Sequence, residues 1–229
     1  MQPTFLPWLG YFSLINSVDK FVFLDSVQFE SRSWQQRNRI LNNGMTHWVT
    51  IPVTLPSGRE TKINEVLINQ EHFSSRKIRQ TLVHAYSKSK WAEETINIVN
   101  PILENASQHL SKMNEKLIMN ICNQLSIEKE FICSSSLDVK GEKAKLLLEI
   151  CKQLGATKYI SPPGARVYME EFSGFREYGI EVEYQSYQHP VYGQLSKDFV
   201  PQLSIIDAMC NIGLEATSEL MKSDLYYGI

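Results

Sequence analysis

Apolar and polar positions follow two rhythms along this chain, and the changes of rhythm place its elements. From 180 to 187, Ile180, Val182 and Tyr184 fall on one side and Glu181, Glu183 and Gln185 on the other, the period of two expected of a half-exposed strand. Shorter apolar runs predict strands at 21–24, 48–53, 130–133 and 159–161. Helical spacing predicts a short helix over 11–18, helices in at least two pieces through 71–124 divided near Pro101, and a helix from about 142 to 154. That last helix carries Ala144, Leu147, Leu148 and Cys151 on one face and Gly155 as its cap. Two more are predicted, over 166–178 with Gly179 as the stop, and over 203–210. Strands and helices alternate at both ends, which predicts an α/β fold with a mainly parallel, Rossmann-like sheet. Residues 71–126 read as an all-helical insertion between halves at 1–70 and 127–229 of one compact unit. Leu55-Pro56-Ser57-Gly58-Arg59 reads as a turn joining two strands.

The start of the chain departs from these rhythms. In QPTFLPWLGY, Pro3, Pro7 and Gly10 constrain the backbone and predict a shaped loop. A short helix, a strand and then Asp25 follow. Loop, helix, strand and acid is the order of an α/β nucleotide or substrate site.

Composition narrows the field. The chain has 229 residues, enough for one large domain, and a net charge of -2 with both signs interspersed, which gives no footprint for a nucleic-acid backbone. No stretch approaches the roughly 20 apolar residues of a membrane span, and the start lacks the basic and apolar regions of a signal peptide, so a cytoplasmic protein is expected. Cys122, Cys133, Cys151 and Cys210 lie far apart, without metal-ligand spacing, and read as buried thiols.

The sequence resembles the WbqC-like family encoded in bacterial O-antigen and other surface-polysaccharide gene clusters. The resemblance rests on Gln2-Pro3, Phe5-Leu6-Pro7-Trp8, Gly10-Tyr11-Phe12, Val18-Asp19, Asp25, Val27-Gln28-Phe29, Arg32, Trp34 and Arg37-Asn38-Arg39-Ile40. It continues at 48–53, Tyr159-Ile160-Ser161 with Gly164, 179–182, His189-Pro190-Val191-Tyr192 and 199–207. It implies work in surface-polysaccharide assembly on a small-molecule substrate, a nucleotide-sugar being expected. Relatives usually carry several apolar residues before the Gln-Pro pair; here Met1 precedes it directly, so the first parallel strand is expected to be missing or cut short. More distantly, Pro7-Trp8-Leu9-Gly10-Tyr11 is similar in outline to the opening of the HIGH nucleotidyltransferase superfamily, which implies a HUP-type sheet. Trp8 and Tyr11 stand where the histidines of that motif would be, and an indole cannot act as a cation toward phosphate.

Candidate site residues follow from chemistry and resemblance together. His189, after the best-defined strand, is the candidate proton acceptor, with a structural turn histidine as the alternative. Asp25 is a candidate base or anchor. Arg37, Asn38 and Arg39 offer forks for a diphosphate or carboxylate, or else form a solvated helix start. Gln2, Pro7, Trp8, Gly10 and Tyr11 of the opening loop, with Gln28, would line the pocket. Ser161 and the amides near Gly164 can receive an anion. Tyr192 can stack on a sugar or base, and Asp207 can point back to the pocket, beyond a capping Ser204. The remaining histidines have no metal-ligand spacing, and no metal site is predicted.

Three functions remain open. One is acyl or aminoacyl transfer to the amine of a nucleotide-linked amino sugar, with His189 taking the amine proton, Asp25 orienting, and Arg37 and Arg39 holding phosphates. The second is ATP-dependent amide ligation, or adenylyl transfer, with ATP and Mg2+ at the opening loop. The third is a non-catalytic nucleotide-sugar sensor or assembly protein. An acyl-CoA or ATP with Mg2+ are the cofactors these readings would use; the oligomeric state is left open.

Overall fold

The computed structural model describes residues 1–166, 169, 171–221 and the backbone of 225–228. The opening loop leads into α1 (Leu9–Asn16), where Leu9 to Ile15 are all buried because the helix is apolar on every side. β1 (Lys20–Phe23) follows, then a hairpin of β2 (Arg37–Asn42) and β3 (Met45–Thr50), and a short pair, β4 (Val53–Thr54) and β5 (Leu67–Ile68). Three helices come next, α2 (Ser75–Ala85), α3 (Ala92–Glu104) and α4 (Leu110–Gln124), before β6 (Glu130–Cys133), α5 (Lys143–Gln153) and β7 (Lys158–Ser161). A short α6 (Gly174–Glu177), β8 (Glu181–Ser186), α7 (Ile205–Leu220) and β9 (Leu225–Gly228) complete the order.

The chain is α/β, with its strands divided among small sheets. β1 pairs with β6 in parallel and β7 with β8 in parallel, whereas β2–β3, β4–β5 and β8–β9 are antiparallel. Of the predicted strands, the one at 48–53 is interrupted: β3 ends at Thr50, and after Pro52 a new pair begins, because proline cannot donate to a ladder. The Met1 amino group donates to the Val22 carbonyl (2.7 Å) and the Leu24 amide to the Met1 carbonyl (2.8 Å). Met1 thus makes one residue of parallel pairing beside β1. A cleft of about 310 Å3 opens there between β1 and β7, lined by Met1, Leu14, Val22, Leu147, Cys151 and Tyr159 among others; no predicted site residue lines it.

Two expectations are corrected. Arg37-Asn38-Arg39 does not start a helix but lies in β2, whose partner returns through Asn43 and Gly44 at φ +50° and +75°. Two central residues with positive φ make the turn that matches strand twist, and Asn-Gly is the pair best suited to it. Pro101 does not divide a helix but sits inside α3. Pro101 and Asn97, whose carbonyl loses its bond, are both exposed, so water can serve that carbonyl, while Ile96, Val99 and Leu103 bury the opposite face. The breaks fall instead between α2 and α3 and between α3 and α4. The helix predicted over 203–210 extends to Leu220, through a kink at Gly213 (φ +81°) where a Cβ would meet the Trp91 ring at 3.0 Å. Of the helix predicted over 166–178, residues 167, 168 and 170 lie outside the described residues.

Gly155 and Gly179 both close their helices as expected. Gly155 (φ +64°) donates to the Lys152 carbonyl and Ala156 to that of Cys151; Gly179 (φ +68°) and Ile180 do the same for Arg176 and Phe175. One core joins the opening loop, α1, β1, the hairpin, α2–α4 and α7, and a second lies under α5, α6 and β8. Cys122, Cys151 and Cys210 are buried, and burial pushes the Cys122 and Cys210 thiols up to about 12.

The opening loop is held by side chains rather than by a ladder. Asn38 donates to the carbonyls of Phe5 (3.1 Å) and Leu6 (2.8 Å), and Asn114 to those of Pro3 (3.1 Å) and Gln35 (2.8 Å). Asn38→Ala strips partners from two carbonyls and is expected to lower unfolding free energy by about 3 kcal/mol, measured by urea denaturation with an unchanged m-value.

Candidate functional site

The opening loop carries Trp8 to the amino end of α1 and folds its indole back over Gly10. A Cβ on Gly10 would stand 2.3 Å from the indole, so only glycine accepts this close approach. Trp8 is anchored from the other side too. It bridges Ser204, the Ile205 amide donates to the Pro7 carbonyl (2.8 Å), and the Ser204 amide donates to the Arg39 carbonyl (2.8 Å).

The indole stacks on the His189 imidazole, with centroids 5.9 Å apart and planes 12° apart. Tyr192 (6.2 Å), Tyr187 (6.0 Å) and Phe199 (5.6 Å) enclose the same imidazole. His189 Nδ1 lies 3.0 Å from the Pro190 carbonyl, which fixes Nδ1 as the protonated nitrogen of the neutral ring. Nε2 is buried and has no hydrogen-bond partner among the described residues, so its lone pair is free. Burial pulls the His189 pKa below its ordinary value, against the smaller opposing effect of Pro190. The imidazole is therefore neutral at pH 7.

Beneath Tyr192 lies a buried carboxylate. Asp207 Oδ2 accepts from the Tyr192 hydroxyl (2.9 Å) and Gln194 Nε2 (2.8 Å), and Oδ1 from the Tyr86 hydroxyl (3.0 Å). Burial pushes its carboxyl above the usual range, while the bonds from Tyr192, Gln194, Tyr86 and Asn211 oppose the shift. Asp207 thus faces its own network of hydroxyls and amides and sets the position of the Tyr192 ring.

On the hairpin, Arg37 and Arg39 share a face with two half-exposed indoles. The Arg37 guanidinium lies 4.3 Å from the Trp48 ring and that of Arg39 5.4 Å from Trp34, with the indoles 5.3 Å apart. Among the described residues no carboxylate pairs with either arginine. Arg39 donates from Nη2 to the Gln202 carbonyl (3.3 Å), which ties this patch to the Ser204 junction beside Trp8.

Asp25 belongs to a different cluster. Fully buried at the end of β1, it accepts from Ser134 Oγ (3.0 Å), the Ser135 amide (2.8 Å) and Ser135 Oγ (2.6 Å), all just past β6. Among the described residues no hydrogen bond or ring contact joins it to His189.

The family model for WbqC-like proteins matches residues 2–219. The chain belongs to the WbqC-like protein family. An uncharacterized protein of Mycobacterium tuberculosis, Rv1507c, is 35% identical over 222 residues, covering 96% of this chain and 95% of the relative. No solved structure matches. Membership in the WbqC-like family points to polysaccharide-related processes. Among the described residues no helix is long and apolar enough to cross a membrane.

Within this WbqC-like chain, the predicted residues divide. Trp8, Gly10, His189, Tyr192 and Asp207 come together, with Pro7, Arg37 and Arg39 adjoining. Asn38 and Tyr11 serve the framework: Tyr11 is buried and donates to the Gln2 carbonyl (2.9 Å). Gln2 Oε1 accepts from Gln35 (2.8 Å), and Gln28, exposed, donates to the Arg59 carbonyl (2.7 Å). Ser161 is buried with its hydroxyl on Pro162, Gly164 faces open space, and among the described residues no hydrogen bond joins either to His189. Sequence reasoning passed over Tyr86 and Gln194, which no local pattern marks, and Ser134-Ser135, which the serine run after a short strand did mark. Gly10→Ala is expected to drive the indole off His189 and so raise the imidazole pKa toward 6.5. A histidine NMR titration of the two proteins reads this directly, and identical midpoints would show that the indole does not cover the ring.

Proposed function

We propose that this WbqC-like chain is a cytoplasmic transferase of surface-polysaccharide assembly, joining an acyl or aminoacyl group to the amine of a nucleotide-linked amino sugar. The observation that carries the reading is the free, buried Nε2 of His189, in a ring whose other nitrogen is already held. A neutral imidazole of depressed pKa is a ready proton acceptor at pH 7. In the proposed step the sugar amine attacks the donor carbonyl, the C–N bond forms, the bond to the leaving group breaks, and the amine proton passes to Nε2. The aromatic walls of Trp8, Tyr187 and Tyr192 suit the apolar face of a sugar ring. Arg37 and Arg39, lacking carboxylate partners among the described residues, suit the diphosphate. Asp25, satisfied by serine donors, takes no part in the proton step.

The parallel pairs β1–β6 and β7–β8, with Asp25, Ser134 and Ser161 at or just past their carboxyl ends, support a Rossmann-like, HUP-type arrangement in which 71–126 is inserted between 1–70 and 127–229. The indole over Gly10 counts against ATP phosphates at the start of α1, and hence against ligation.

Incubating the protein with nucleotide-linked amino sugars and acyl-CoA or aminoacyl donors should give an amide product by mass spectrometry. His189→Ala should lower its rate by about 100-fold or more with an unchanged melting temperature. Equal turnover by the variant would remove His189 from the mechanism. Pyrophosphate release from ATP with a carboxylic acid and an amine would replace transfer by ligation, and binding without turnover across the panel would leave a sensor.

A further inference from the structure

Behind the opening loop, three elements distant in sequence bring metal-ligating atoms to one point. Asp25 lies two residues past β1, Glu115 lies in the second turn of α4 and Cys133 ends β6; one ligand atom from each lies within 4.8 Å of the others. Both carboxylates are almost wholly enclosed, Asp25 at 0% and Glu115 at 4% exposure. Enclosed carboxylates are costly unless their oxygens find donors or a cation. Asp25 is largely provided for by Ser134 and Ser135. Glu115 is not: Lys112 (2.9 Å) and the Cys133 thiol (3.5 Å) donate to Oε2, but among the described residues Oε1 is buried without a partner.

We infer that Asp25, Glu115 and Cys133 form a binding site for a divalent cation of the zinc class. The donor set decides the class. Two carboxylates and a thiolate suit a borderline-soft ion, whereas magnesium and calcium seek oxygen alone. Three protein ligands leave a fourth tetrahedral position for water or a substrate oxygen. The bound ion would give Glu115 Oε1 the partner it lacks and hold Cys133 as thiolate. Lys112, half-exposed, reaches both Glu115 and Cys133 Sγ (3.5 Å) and competes with the ion for them. This site does not rest on the acyl-transfer reading, whose proton step uses His189 and not Asp25.

The test uses the full chain, freed of metal by chelator and dialysis, titrated with Co2+ alone. One equivalent should bind, with a near-ultraviolet thiolate-to-cobalt absorption band, and Zn2+ should displace it. Cys133→Ser should abolish the band and Glu115→Gln should weaken binding at least tenfold, each with a native circular dichroism spectrum. Lys112→Met should tighten binding by removing the competing charge. Absence of saturable uptake, or a band that survives Cys133→Ser, would overturn the site. Weaker binding in Lys112→Met would do so as well, since it would make the lysine a supporting group rather than a competitor. Should Glu115→Gln not fold, Cys133→Ser alone suffices to decide.

Discussion

The structure turns on how a loop without a hydrogen-bond ladder is held inside a core. Residues 2–8 contain two prolines and a leucine at φ +41°, so they can neither join a sheet nor relax into a helix. Buried backbone groups must nonetheless be paired. Each partner comes from a distant element: Trp34 accepts from Phe5, Asn38 serves Phe5 and Leu6, Asn114 serves Pro3, and Ile205 serves Pro7. The hairpin, α4 and α7 are thereby located relative to one another. Trp8 inherits its position from all three, and the imidazole stacked on it does so in turn.

This dependence explains why the same short segment reads as functional in the sequence and as architectural in the structure. Asn38 sits between two arginines of a site-like cluster, yet its amide works inward on carbonyls while its neighbours' guanidinium groups face the indoles. In a strand, alternate residues point to opposite faces, so Arg37-Asn38-Arg39 divides its labour as any strand must. Tyr11 is similar, pulled into the core by a helix apolar on all sides.

Much of the fold was legible in the chain. The alternation at 180–187, the apolar run after Lys20 and the glycine stops at 155 and 179 are local signals, and the structure places elements there. The β2 strand was missed because two arginines and two asparagines mask its period, although Asn43-Gly44 states the turn plainly. Pro101 misled because its effect depends on which face it occupies, a tertiary fact. The candidate site was half legible: His189, Trp8 and Tyr192 stand in recognisable motifs. Tyr86, Gln194 and Glu115 come from the end of α2, a loop and α4, whose local sequence gives no hint of what they meet.

The cleft between β1 and β7 has a consequence for the protein in crowded solution. Among the described residues, β7 is the outer strand of its sheet on that side, and the edge of β1 away from β6 pairs with Met1. Rows of backbone donors and acceptors recognise extended chain by shape, whatever its side chains. In crowded solution, extended chain seated on these edges would satisfy backbone groups on both.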